Sequence, residues 1–169
     1  DSSTLFLQTI KEYFLIPCYN TYKELGNKYK RHLLYIAVDL AYIYLKEKNF
    51  SSAIEYFEII DSIYIQDSWK RYETINSTWL AYSYKQLLDG EKKLVKDADE
   101  YTNYRYKYVN VLLSLIHTDA INSCPEILPF IVPHLITELI NSKKTILGGE
   151  RRQRGDGLLT FKIITINNN

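Results

Sequence analysis

The sequence predicts an all-α fold, an antiparallel array of about five to seven helices arranged as hairpins, followed by a linker and one β-strand. Apolar residues recur at helical spacing through most of residues 5–142. The string LAYIY at residues 40–44 returns as LAYSY at residues 80–84, and a period of about 40 residues with two helices per unit is typical of an α-solenoid. Composition and periodicity therefore divide the chain into a helical repeat domain (1–142), a Gly/Arg-rich linker (143–157) and a strand that begins a following β-domain (158–169).

The first predicted helix runs from Leu5 to Leu25. Pro17 is expected to kink or divide it, because proline lacks the backbone N–H and its ring clashes with the preceding turn. Gly26 and Asn27 then end the helix in the manner of a C-terminal cap. A second helix from Lys28 to Lys48 carries apolar side chains on one face and Lys, Arg and Glu opposite; the apolar set is Leu33, Ile36, Ala37, Leu40, Ala41, Tyr44 and Leu45.

A very short turn leads into the third helix. Asn49 and Ser51 provide turn and capping side chains, and they precede a helical stripe of Ala53, Ile54, Phe57, Ile60, Ile63 and Tyr64. Because the connection is so short, the second and third helices must lie antiparallel. Trp69 begins a fourth helix, Asp89-Gly90 ends it, and one face of it carries Tyr72, Ile75, Trp79, Leu80, Tyr84 and Leu87.

The second half of the helical domain is less regular. Residues 91–100 hold seven charged side chains and are expected to form a loop or a solvated start of the next helix. A fifth helix follows from Tyr101 to His117. Pro125 suits the first position of a sixth helix that runs to about Ser142. That helix is expected to be kinked or broken, because Pro129 and Pro133 lie within it.

The linker contains the one concentrated positive patch of the sequence. Four of the six glycines fall within residues 148–157, which predicts a flexible connection. The candidate interaction patch consists of Lys143, Lys144, Arg151, Arg152 and Arg154. These side chains either bind an acidic partner or an anionic lipid surface, or they form part of a solvated linker.

The segment Leu158–Ile166 is rich in β-branched and aromatic residues. Phe161 and Ile163 alternate with Lys162 and Ile164, as expected for a strand. A single strand is not stable alone, so we expect it to pair either with a β-domain that follows in the same chain or with a neighbouring subunit.

Composition and charge exclude several classes of protein. With 169 residues, 46% of them hydrophobic, the chain can bury a core without disulfides. Its net charge of +1 provides no overall attraction to nucleic acid or to an anionic membrane. No apolar run approaches the roughly 20 residues that a transmembrane helix needs. The chain starts at Asp1 instead of an initiator methionine, so we expect a piece of a longer protein.

No catalytic, metal or cofactor site is predicted. His32, His117 and His134 lie far apart and have no Cys or carboxylate at the spacing of a metal site or a triad. Cys18 and Cys124 are expected to be buried and unpaired, although a disulfide between them is an alternative. The 16 tyrosines could form a base-stacking platform, but basic residues do not alternate with them. We therefore expect most of their rings in the core, with the hydroxyls at its rim.

The repeat also carries a resemblance to known families. Leu40, Ala41, Tyr44, Ala53 and Phe57 match the tetratricopeptide pattern in order and spacing. A narrower resemblance covers roughly residues 29–116, where the runs AYIYL, NFSSAIEYF and SIY are followed by Ser-Trp. This region resembles the helical, foie-gras-like part of the large TRAPP-complex subunits.

In that family a Tyr-x-x-x-Gly-Trp-Trp-like signal follows a helix pair. Tyr64 and Trp69 match the signal, whereas Ser68 replaces the glycine and Lys70 replaces the second tryptophan. In the family the helical region precedes β-sandwich domains, which fits a strand at the end of this chain.

The resemblance implies a non-catalytic scaffold segment of a multisubunit complex that tethers vesicles and activates Rab GTPases at the Golgi. Nucleotide exchange in such complexes belongs to other subunits, so no enzymatic activity, metal or cofactor is expected here. The implied partners are other subunits of the complex and, indirectly, a Rab GTPase; nucleic acid is not among them. The implied location is cytoplasmic and peripheral to Golgi membranes. The alternative is a generic tetratricopeptide-like adaptor that binds a partner peptide in its groove.

The hairpin array also predicts which side chains form the core. The small alanines of the two LAY strings should allow close approach of neighbouring helices. The residues expected to be buried between helices are Leu40, Ala41, Tyr44, Ala53, Phe57, Trp69, Trp79, Leu80 and Ala81.

Overall fold

Every regular element is helical in the part of the chain that the computed structural model describes, residues 2–91 and 98–149. The α-helices are α1 (Ser2–Ile10), α2 (Ile16–Glu24), α3 (Lys30–Lys46), α4 (Phe50–Gln66), α5 (Lys70–Glu91), α6 (Ala98–Leu115), α7 (Thr118–Ser123) and α8 (Leu128–Gly149). A π-helical segment (Lys11–Leu15) joins α1 to α2, and 3-10 turns (Gly26–Tyr29 and Pro125–Ile127) precede α3 and α8. The predicted all-α class is confirmed, while the predicted strand lies outside the described residues.

Pro17 disturbs the first helix as predicted, and the disturbance is a widened turn. Pro17 lies in the first turn of α2 and has no N–H to donate to the carbonyl four residues earlier. Just before it, the Ile16 N–H donates to the Lys11 carbonyl, five residues back, as in a π-helix. At the other end of α2, Gly26 has φ of 75° and forms the predicted cap.

The same turn joins α3 to α4 and α4 to α5. In the first turn the Asn49 N–H donates to the Tyr44 carbonyl at 2.9 Å, and in the second the Trp69 N–H donates to the Tyr64 carbonyl at 3.0 Å. The residue before each donor, Lys48 or Ser68, has a left-handed φ of 58° or 57°. The Asn49 side chain accepts from the Ser52 N–H, as the predicted N-cap. Each turn reverses the chain, so α3, α4 and α5 lie antiparallel in sequence order.

The core forms where these helices pack on one another. Each of α3 to α6 packs against the next, α2 packs on α3, and α8 packs on α6. Four alanines of these packed helices are fully buried in the core; they are Ala37, Ala41, Ala53 and Ala81. Larger buried side chains surround them, including Leu40, Phe57, Ile60, Leu80, Tyr84, Tyr108 and Leu112.

The predicted core is confirmed in six of its nine positions. Leu40, Ala41, Ala53, Phe57, Leu80 and Ala81 are buried. Tyr44 and Trp69 are only half-buried, and Trp79 is 37% exposed, so its predicted burial is wrong. Cys124 is buried as predicted, but Cys18 is exposed; both are free thiols.

The C-terminal half differs most from the prediction. The short helix α7 was not expected, and α8 begins at Leu128, because Pro125 starts a 3-10 turn instead. The helix is not broken at its prolines: Pro129 lies in the first turn, where an N–H is not needed, and the helix continues through Pro133 to Gly149. Residues 143–149, assigned to the linker, are therefore helical, while residues 150–157 lie outside the described part. Of residues 91–100, predicted as a loop or a solvated helix start, Glu91 is the last residue of α5 and 98–100 form the start of α6; residues 92–97 lie outside the described part.

A polar network fixes α5 against α4. The Asp61 carboxylate accepts from the Ser77 hydroxyl at 2.8 Å and from the Asn76 amide at 3.1 Å, and the same amide donates to the Phe57 carbonyl at 3.0 Å. Burial raises the pKa of the Asp61 carboxyl, and these two side-chain hydrogen bonds offset part of that effect. Because both α5 side chains donate to the one Asp61 carboxylate, these hydrogen bonds favour a single register of α5 along α4.

A buried lysine attaches the first helices to α3. Lys11 is 6% exposed, and its ammonium group contacts both carboxylate oxygens of Glu47 at 2.6 and 2.8 Å. The same group lies 4.7 Å from the centre of the Tyr44 ring. The π-helical segment is thus fixed to the end of α3 by a partly desolvated ion pair.

We expect substitution of Ala41 or Ala81 by leucine to lower the free energy of unfolding by about 1 to 3 kcal/mol, because each site is fully packed. Urea denaturation of the purified chain measures this change. Asn103→Leu enlarges an exposed position of α6 and should change the unfolding free energy by less than about 0.5 kcal/mol. Unchanged stability of both alanine variants would contradict the close helix packing.

We expect the contribution of Asp61 to the free energy of unfolding to decrease as the pH rises. The pKa of Asp61 is higher in the folded than in the unfolded chain. When the pH rises above the ordinary Asp pKa of about 3.9, Asp61 therefore ionises in the unfolded chain first. The stability of the native sequence relative to Asp61→Asn should therefore decrease from about pH 4 upward, until Asp61 ionises in the folded state as well. Urea denaturation at stepped pH measures the difference, with Asp39→Asn as the reference for loss of one exposed carboxylate. A difference that grows with pH would contradict the assignment.

Candidate functional site

Seven aromatic side chains from α3, α4, α5 and the turn between α4 and α5 lie together at the surface. This set, called the aromatic face below, consists of Tyr35, Tyr42, Tyr64, Trp69, Tyr72, Trp79 and Tyr82. It contains two clusters of touching rings. Burial raises the pKa of Tyr64, and the nearby Tyr42, Tyr72 and Tyr35 raise it further, so Tyr64 lies in the neighbourhood of both clusters.

The first cluster lies at the turn between α4 and α5. The rings of Tyr64 and Trp69 stack with centres 5.9 Å apart, and Tyr72 lies 5.8 Å from each of them. The Arg31 guanidinium lies 5.9 Å from the Trp69 ring, at the range of a cation–π contact. The turn therefore places three rings and one cation side by side.

The second cluster bridges α3 and α5. The Tyr42 and Trp79 rings meet edge to face at 5.9 Å, and Tyr82 meets Trp79 in the same way at 6.0 Å. Beneath them, the buried Phe57 contacts the Tyr42 ring at 6.1 Å. The core thus supports these rings from below and leaves their outer edges open.

The aromatic face combines apolar area with hydrogen-bond donors. Tyr35 is 66% exposed, Tyr72 58%, Tyr42 38% and Trp79 37%. Within the described residues, their hydroxyls and the indole N–H have no hydrogen-bond partner. Burial raises the pKa of Tyr42 and of Tyr64, so both remain protonated donors at neutral pH. Rigid rings with free donors are the side-chain type that dominates binding energy at protein interfaces.

One edge of the aromatic face is charged and another opens into a groove. At the start of α3, Lys30 donates to the Asp67 carboxylate at 2.8 Å, next to Arg31. On the opposite side, Tyr42 also lines an apolar groove between α1 and α3, together with Leu7, Ile10, Leu15 and Ile43. The aromatic face therefore continues beyond α3 towards the first helix.

The rings reach the surface because the alanine contacts leave no room for them. Tyr35 and Tyr42 are seven residues apart on α3, as are Tyr72 and Trp79 on α5, so each pair lies on one side of its helix. That side is turned away from the Ala41 and Ala81 contacts. The shared seven-residue spacing is the signal in the sequence that could have identified this surface, whereas the helical periodicity of the tyrosines predicts most of their rings in the core.

A second cleft, between α5, α6 and α8, is polar. Its walls include Lys85 and Asp89, paired at 2.8 Å, and Arg105 and Glu138, paired at 3.2 Å. These opposite charges neutralise one another within the protein. The cleft is therefore better explained as a junction between helices than as a binding site for a charged ligand.

The side chains that the sequence indicates as a binding patch fall outside the described residues. Lys143 and Lys144 belong to α8, but their side chains lie outside the described part, as do Arg151, Arg152 and Arg154. In the described residues no three His, Cys, Asp or Glu side chains come together as a metal site would require. His32 lies against Tyr22 and Tyr29, His134 against Phe130.

Neither the described helices nor the comparisons provide another basis for assigning a site. None of these helices combines the length and the apolar character needed to cross a membrane. Comparisons of the chain with protein-family models, with curated proteins and with solved structures find no match.

Proposed function

We propose that this chain is a non-catalytic scaffold module that docks a partner protein on its aromatic face. The observation that carries the proposal is the exposure of Tyr35, Tyr42, Tyr72 and Trp79 in one contiguous surface with unpaired donors. A scattered exposed ring needs no explanation, but a connected set supported by the core provides the anchors of an interface.

We also propose that α3–α4 and α5–α6 are two stacked hairpins of a tetratricopeptide-like solenoid. Equivalent residues support this arrangement, since Ala41 and Ala81 are both fully buried. The ring of Tyr44 contacts Tyr56 on the next helix at 5.7 Å, and the ring of Tyr84 contacts Tyr104 at 6.1 Å. In each hairpin a tyrosine three residues after the alanine thus packs on the following helix.

For the larger assembly, we propose a vesicle-tethering, Rab-activating complex of the TRAPP type. The chain would be a scaffold segment of a large subunit, cytoplasmic and peripheral to Golgi membranes, with exchange activity in other subunits. Support comes from the sequence resemblance around Tyr64 and Trp69, whose rings stack within the aromatic face. The two residues that match the family signal, Tyr64 and Trp69, thus belong to the candidate site.

A peptide-binding adaptor is the second candidate function. The observation that favours it is the groove between α1 and α3, which is lined by Leu7, Ile10 and Ile43 and bordered by the charges of Asp39 and Lys46. An extended peptide could lie in such a groove with its apolar side chains inward. The two candidates differ in partner size, because a folded subunit would cover the whole aromatic face.

The test is purification of the tagged full-length protein from the cells that produce it, as the native sequence and as a Tyr35→Ser/Tyr72→Ser variant. Both residues are more than half exposed, so the fold should be retained with an unchanged thermal midpoint. Loss of two interface anchors should weaken partner binding by about 2 kcal/mol, roughly 30-fold. A co-purified partner should therefore be strongly depleted.

Tyr106→Ser is the matched control, because Tyr106 is 50% exposed on α6 and lies outside the aromatic face. It should retain the partner. Equal retention by all three proteins would exclude the aromatic face as the docking site. A set of co-purified proteins without subunits of a tethering complex would refute the TRAPP-type assembly, and binding of a short peptide alone would favour the adaptor.

A further inference from the structure

The outward side of α8 carries an apolar stripe that no described residue covers. The α8 stripe consists of Val132, Ile136, Leu139 and Ile140, which are 42 to 58% exposed. Their spacing of four, seven and eight residues places them on one side of the helix. The adjoining side of α8 packs on the core through Ile131 and Leu135. The apolar surface of this final helix is therefore wider than its contact with the core.

The α8 stripe differs in chemistry from the aromatic face. Its four side chains are aliphatic and have no hydrogen-bonding group, so burial is the only interaction they can contribute. A stable interface between separate proteins uses roughly 20 to 30 residues on each side. Four residues are too few to hold a second molecule alone, whereas a segment of the same chain needs far less contact area because it is already tethered.

We infer that residues 158–166 of the same chain pack on the α8 stripe. This segment, LLTFKIITI, contains six aliphatic or aromatic residues and one charge, Lys162. In the extended conformation that the sequence predicts, alternate residues share one side. Leu159, Phe161 and Ile163 would then face α8 together.

The dimensions of the two elements match. Val132 and Ile140 are separated by about 12 Å along α8 at 1.5 Å per residue. Leu159 and Ile163 are separated by about 13 Å in an extended chain at 3.3 Å per residue. Three apolar side chains of the segment can therefore cover the whole length of the stripe.

The connecting chain is long enough for the segment to return along α8. From Gly149 back to Ile140 the helix measures about 14 Å, and residues 150–157 can span up to about 26 Å when extended. Short flexible connections of this kind give effective concentrations in the millimolar range. Packing on α8 also leaves the backbone edges of the segment free to pair with another strand.

The strongest competing occupant is a second copy of the chain. The outward side of α1 and of the π-helical segment after it also exposes large apolar side chains, namely Leu5, Phe6, Tyr13 and Phe14, which are 62 to 71% exposed. A head-to-tail contact between α1 of one copy and α8 of the next would bury both surfaces. Such a contact depends on protein concentration, whereas packing within one chain does not.

The experiment is site-specific photocrosslinking of the full chain with Leu139→p-benzoylphenylalanine. We expect an adduct within one chain that maps to residues 158–166, with a yield that is unchanged on about tenfold dilution. The same probe at Tyr106 of α6 is the control and should give no adduct with that segment. An adduct to α1 of another copy, an adduct elsewhere or no adduct at Leu139 would overturn the inference.

A second measurement does not depend on the probe. Phe161→Asp/Ile163→Asp should uncover the α8 stripe and raise the fluorescence of a dye that binds exposed apolar surface several-fold, with unchanged helix content by circular dichroism. Thr160→Asp/Lys162→Asp, on the other side of the extended segment, should leave the dye signal unchanged. Equal dye signals for the first variant and the native chain would also overturn the inference.

Discussion

The close approach of α3, α4 and α5 at their alanines is the constraint on which the rest of the structure depends. Ala37, Ala41, Ala53 and Ala81 are all but inaccessible to solvent, so the helices meet with no space for a larger side chain. Aromatic side chains close to these alanines in the sequence therefore do not fit between the helices. Some of them enter the core beside that contact, such as Tyr84, and others, such as Trp79, move to the surface. The aromatic face is a direct result of this separation of small and large side chains.

Polar contacts between α4, α5 and α6 add a preferred register to this packing. Glu58 accepts hydrogen bonds from the Tyr84 hydroxyl and, at 2.8 Å, from the Lys107 ammonium group, which connects three helices. Asp61 of α4 likewise accepts hydrogen bonds from α5. Apolar contacts tolerate sliding of one helix along another, whereas a partly buried carboxylate resists it, because a shift removes its hydrogen-bond donors. The positions of Trp79 and Tyr82 opposite Tyr42 follow from this register.

Two of the described surfaces, the aromatic face and the α8 stripe, differ in chemistry and suit different occupants. The aromatic face has rigid rings, free donors and a nearby cation, which together can anchor a separate protein. The α8 stripe offers only aliphatic contact over a short length, which suits a tethered segment. Occupation of the stripe from within the chain would leave the aromatic face as the larger surface open to a partner, so the two proposals are compatible and independently testable.

The sequence by itself determined the helical class, the reversing turn between α3 and α4 and most of the core, because periodicity, capping residues and small residues act over a few positions. It also placed the capping Asn49 and the disturbance at Pro17 correctly. Only the tertiary structure decided which aromatic residues are exposed, since Tyr84 and Trp79 lie on one predicted stripe, yet Tyr84 is buried and Trp79 is exposed. The continuous α8 and the ion pair of Lys11 with Glu47 likewise depend on packing between helices distant in sequence, which local patterns do not encode.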